Sequence, residues 1–84
     1  MTEALDRATQ PVSRAILLRL RTGGPASPVV LASALGASRT GVLAHLRDLE
    51  AAGLVRREAV RHGVGRPRHV NDITDAAQDL FPTG

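Results

Sequence analysis

Eleven of the 84 residues are cationic, and every one of them is arginine. A guanidinium is planar, permanently charged and forked. It therefore grips a phosphate or a guanine edge through two parallel hydrogen bonds, which an ammonium does not. Placement adds to type. Between Val55 and Val70 stand Arg56, Arg57, Arg61, Arg66 and Arg68 against a single acid, Glu58, with His62 and His69 interleaved. The stretch that follows carries Asp72, Asp75 and Asp79 and no base. A basic run confined to one part of a chain with a formal net charge of only +3 is the footprint of polyanion recognition, and nucleic acid fits it. A solvated charged loop is the plainer alternative.

Catalytic and metal chemistry lack their parts. The absence of cysteine excludes a disulfide framework, a thiolate zinc site and a cysteine-ligated iron–sulfur cluster. His62 and His69 stand seven residues apart with no carboxylate between them, so phosphate contacts explain them better than a metal. His45 reads as a packed residue that donates to a DNA phosphate or a backbone carbonyl. Ser27 and Ser38 read as helix caps, and no nucleophile–base–acid set is spaced for catalysis. No enzyme activity, metal or cofactor is expected. A chain this short buries only about 60% of its unfolded surface, which leaves little room for a separate substrate cleft. Its core must be aliphatic, because Phe81 is the only aromatic residue. No apolar run approaches the roughly 20 residues that span a bilayer, and residues 1–10 have no signal-like apolar stretch, so a cytoplasmic, membrane-free chain is expected.

The elements that must position the arginines follow from local signals. Residues 1–10 read as a loose arm, and residues 11–82 as one domain. Pro11 suits a first helical turn, and Val12, Ile16, Leu17 and Leu20 recur at helical spacing up to Arg21, before Gly23, Gly24 and Pro25. Ser27-Pro28 repeats the start signal for a helix over 28–35, with Leu31 and Leu35 inward and Gly36 as its stop. Ser38 then caps a helix over 39–52. Two helices joined by so short a turn containing glycine meet steeply, as in a helix-turn-helix. After Gly53 the period changes: residues 54–60 read as a strand, 61–68 as a hairpin loop and 69–73 as the returning strand. Thr74 caps a last helix, roughly 75–80. The fold expected is mainly α with a small β-hairpin, a three-helix core plus wing and short C-terminal helix.

On a wheel of 100° per residue, Val42, Leu46 and Leu49 point to the core and Thr40, Ala44, Arg47 and Ala51 point away, with Leu43 on the flank. Such a small-residue face with one long cation enters the major groove without obstruction. Arg39 and Thr40 lie in the first turn, where base edges and phosphates are both in reach. Surface pairing of Arg39 or Arg47 with Asp48 or Glu50 is the alternative. In the loop, Gly63 and Gly65 permit close approach, and Pro67 stiffens the path of Arg66 and Arg68. Gly65-Arg66-Pro67 is similar to the core of an AT-hook, without its flanking arginine at position 64. It makes Arg66 the candidate for a narrow minor groove.

The run Leu31-Ala32-x-x-Leu35-Gly36-Ala37-Ser38-Arg39-Thr40-x-Val42-x-x-His45-Leu46-x-x-Leu49-x-x-x-Gly53-Leu54-Val55 resembles the winged helix-turn-helix of bacterial ArsR/MarR/DeoR-type regulators. Gly65-Arg66-Pro67 and the ending from Ile73 to Pro82 look like its SufR-like branch. The resemblance implies a homodimer on double-stranded DNA, one recognition helix in each of two successive major grooves, and the wing on the flanking minor groove. By position it assigns Ser38, Arg39, Thr40 and Arg47 to the helix and Arg61, Arg66 and Arg68 to the wing. Leu43, Ala44, His45 and His62 complete the expected contact set. Two departures stand out. Val30 replaces the acid usual before the Leu-Ala pair, and the branch's cluster ligands are missing, so cluster sensing does not carry over and no effector is assigned. The chain is either the DNA-binding part of a longer regulator or a binder without that sensor. Transcriptional regulation, most simply repression by promoter occlusion, is the expected role. A winged helix used for protein–protein contact is the rival, with Val29 and Val30 as its surface.

Overall fold

The computed structural model describes residues 11–60 and 68–81. The first helix, α1 (Pro11–Gly23), buries Ser13, Ile16, Leu17 and Leu20 and turns its arginines outward. It runs two residues past Arg21, because the chain first leaves the helical path at Gly24, whose N–H still donates to the Leu20 carbonyl. Val12 is exposed, although its spacing from Ile16 placed it on the apolar stripe: the helix begins before the core does.

Helix α2 (Pro28–Leu35) starts as its sequence dictates. Ser27 is extended and its hydroxyl accepts from the Val30 N–H, satisfying one of the donors a helix start leaves open. Gly36 ends it at φ 63°, which lets the Ala37 N–H reach back to the Ala32 carbonyl. Ser38 then caps α3 (Arg39–Ala51), its hydroxyl accepting from the Gly41 N–H at 3.1 Å. The axes of α2 and α3 differ by 114°, within the range of a helix-turn-helix. Among the described residues no single helix is long and apolar enough to cross a membrane. The end of α3 repeats the same device: Gly53 at φ 78° lets the Leu54 N–H donate to the Leu49 carbonyl.

Strands β1 (Val55–Val60) and β2 (Arg68–Ile73) pair antiparallel, in register from Val55 opposite Ile73 to Val60 opposite Arg68. Arg68, expected in the loop, is therefore a strand residue, because Val60 across from it still offers a ladder partner. The connection between α1 and α2 adds a rung: Ala26 and Asn71 exchange both backbone hydrogen bonds. Helix α4 (Asp75–Gln78) is shorter than predicted and gives way to turn at Asp79 and Leu80. Phe81 returns to the core, 5% exposed.

The core joins Ile16, Leu17 and Leu20 of α1, Leu31 of α2, Val42, Leu46 and Leu49 of α3, and Leu54, Val55 and Ile73 at the foot of the hairpin. It is aliphatic apart from Phe81. The result is a mainly α domain with a two-stranded wing, in the order the sequence predicts.

Candidate nucleic-acid interface

Burial of Val42, Leu46 and Leu49 fixes which side of α3 faces outward. Thr40, Ala44, Arg47 and Ala51 are all exposed on that side, and Leu43 is half-buried at its edge. The face is smooth, with methyl-sized groups around one guanidinium. Ser38 and Arg39 are exposed at its start. The Ser38 oxygen is engaged with Gly41, while its O–H proton retains donor capacity.

The cations differ in their surroundings. Among the described residues, neither Arg39 nor Arg47 forms an ion pair. Arg56, by contrast, is held on the wing by two acids: its Nε lies 2.9 Å from Glu58 and its terminal nitrogen 3.3 Å from Asp72. Asp72 also accepts from the Ile73 N–H at 2.8 Å, so the carboxylate is fixed by its own strand. A count of charges along the sequence overstates the free positive charge here, since Arg56 is answered by an acid sixteen residues later. Arg57 and Arg68 are exposed.

His45 bonds to a side-chain hydroxyl where its position suggested a backbone carbonyl. Two residues from Arg47, it sits roughly 160° away around the helix and faces α1. It is half-buried, and its Nδ1 lies 3.3 Å from the hydroxyl of Ser13, which is 1% exposed. Nothing in the sequence around Ser13 announces that contact. Arg61, His62 and Arg66, the rest of the expected wing contacts, lie outside the described residues.

A second feature of this side is apolar. Val29 and Val30, 55% and 47% exposed, open a cleft between the start of α2 and β2 into which Arg39, Arg68 and His69 also face. The consecutive valines behind Ser27-Pro28 are the sequence signal for it. Among the described residues no group of three or more His, Asp or Glu side chains is gathered to hold a metal ion.

A family model described as a helix-turn-helix domain matches residues 8–58. No curated protein matches the chain. Among solved structures, it is similar to the transcriptional regulator Tm0710 from Thermotoga maritima, with a TM-score of 0.76 and 24% identity over 93% of this chain and 56% of that one. A MarR family transcription regulator gives 0.76 and 24% over 93% of this chain and 50% of its own. An ArsR family transcriptional regulator gives 0.69 and 26% over 92% and 78%. The chain thus spans about half the length of the first two. At 24% identity those two likenesses concern the fold.

Proposed function

This chain belongs to the family of helix-turn-helix domains, and on that premise we propose that it binds double-stranded DNA and regulates transcription. The observation that carries the reading is the outward face of α3, where small side chains surround Arg47 and no acid interrupts Thr40, Ala44, Arg47 and Ala51. A B-DNA major groove about 12 Å wide admits a helix with such a face. Regulators of the ArsR and MarR families sharing this fold make transcription the natural setting.

In this reading residues 11–82 are the binding domain and residues 1–10 an arm that precedes it. Arginine–phosphate contacts release counterions and supply most of the affinity. Thr40, Ala44 and Arg47 read base edges, while Arg61, Arg66 and Arg68 serve the wing at the flanking minor groove. Two copies, spaced about one helical turn of DNA or roughly 34 Å apart, would occupy a two-fold site and repress by covering a promoter.

The test is fluorescence anisotropy of a labelled random-sequence duplex titrated with the protein at two salt concentrations. Binding that weakens steeply with salt is the expected result. No binding at low salt would overturn the reading and turn attention to Val29 and Val30 as a protein-contact surface.

A further inference from the structure

A cleft of about 510 Å³ opens where the starts of α2 and α3 meet β2. Val29 and Val30 form one side, Arg39, Arg68 and His69 face them, and none of the residues lining it is acidic. We propose that this cleft seats one strand of the DNA backbone, with Arg39 and Arg68 closing on the same phosphate and the valines against the adjoining deoxyribose. The inference rests on the DNA-binding reading and refines it. Arg39 becomes a register-setting phosphate ligand, and base reading falls to the residues around Arg47.

Three observations converge on that occupant. First, direction: Arg39 lies eight residues before Arg47, about 80° away around α3, and so turns from the groove-facing side towards β2. Second, charge: two guanidiniums from separate elements share a cleft without an acid, whereas Arg56 on the same wing is answered by Glu58 and Asp72. Like charges brought together in this way are stabilised by an anion between them, and a guanidinium fork matches phosphate geometry. His69 adds an imidazole N–H, a donor in either protonation state. Third, polarity: a nucleic-acid strand alternates anionic phosphate with apolar sugar edges, as this cleft alternates cations with exposed valines. The cleft also runs on from the start of α3, so a strand flanking the occupied groove passes through it.

The test compares wild type, Arg39→Gln, Arg68→Gln and the double variant by anisotropy over a salt series, on several duplexes of different sequence. Both sites are exposed, and matching thermal melts confirm that each variant folds. With one shared phosphate, the slope of log affinity against log salt falls by about 0.9 in the double variant, and the two single losses do not add up to the double loss. A fall of about 1.8 with additive losses would mean two separate phosphates and would overturn the sharing. A loss for Arg39→Gln confined to one duplex sequence would make it a base reader and overturn the role assigned here. Val30→Asp and Val12→Asp supply a second measurement, since both replace an exposed valine, 47% and 37% accessible, with the same charge. Only Val30 lines the cleft, so the carboxylate introduced there, repelled by the strand's phosphates, should weaken binding roughly tenfold. Equal losses would sink the cleft assignment. Absence of wild-type binding at low salt would instead remove the DNA reading beneath it.

Discussion

The hydroxyl of Thr74 donates to the carbonyl of Gly53 across 2.7 Å, joining the end of α3 to the foot of the wing. The same oxygen accepts from the Ala77 N–H, and the Thr74 N–H donates to the Leu54 carbonyl, so one residue ties three elements. Thr74→Val keeps the branched shape and removes both hydroxyl contacts. We expect a loss of about 1–2 kcal/mol, the range of a lost cap together with a lost hydrogen bond. At this size each kcal/mol lowers Tm by roughly 4–8 °C, and Thr74→Ser should recover most of it. A Thr74→Val melt indistinguishable from wild type would show that the latch contributes nothing.

Phe81 brings the last described turn back to α1, where the guanidiniums of Arg14 and Arg21 each lie 5.5 Å from its ring centroid. Both burial and cation–π attraction hold it there. Phe81→Leu preserves apolar character and removes the ring face, whereas Phe81→Ala also leaves a cavity. Urea unfolding should order them with Ala the more destabilised, by about 3 kcal/mol. A double-mutant cycle with Arg14→Gln should give a coupling of about 0.5–1 kcal/mol. Zero coupling would reduce the arrangement to packing alone.

Ser13 and His45 link α1 to α3 through a 3.3 Å contact at the edge of the core. Ser13→Ala deletes the hydroxyl without disturbing volume and should cost about 1 kcal/mol, because the half-buried imidazole can turn part of its surface to water. Ser13→Val adds bulk at a site that is 1% exposed and should cost more, about 1–3 kcal/mol. Chemical denaturation separates the two. A valine variant as stable as wild type would mean that the site has slack the packing does not show.

What the sequence revealed of this fold was its local part. Ser27-Pro28, Ser38, Gly36 and Gly53 each act within one turn of helix, so their positions alone mark where α2 and α3 begin and end. The outward face of α3 was legible for the same reason, since 100° per residue separates Arg47 from Leu46 and Leu49 without any tertiary knowledge. What stayed hidden depends on chain segments meeting. The Ala26–Asn71 rung, the Ser13–His45 contact and the neutralisation of Arg56 by Asp72 join residues far apart in sequence, and no local preference encodes them. Arg68 entered the strand for the same reason: Val60 decides it from across the hairpin. The SufR-like resemblance rests on Gly65-Arg66-Pro67, which lies outside the described residues, and on the ending from Ile73 to Pro82.

Arg47 and Arg66 provide the sharpest division of labour to test. Arg47 projects from the exposed face of α3, and the proposed function gives it a bidentate contact to a guanine edge. Arg66, proposed for the wing, has Gly65 and Pro67 beside it and suits a narrow groove, where negative potential is concentrated over A·T-rich steps. Arg47→Ala should therefore relax preference at one base step, costing about 1–3 kcal/mol there and less elsewhere. Arg66→Ala should weaken binding most on duplexes with A·T-rich flanks, whatever the central sequence. Anisotropy on a duplex set varied at either the centre or the flanks measures both effects together. Equal losses on every duplex for both variants would mean that each arginine supplies only charge, and that sequence is read by other residues.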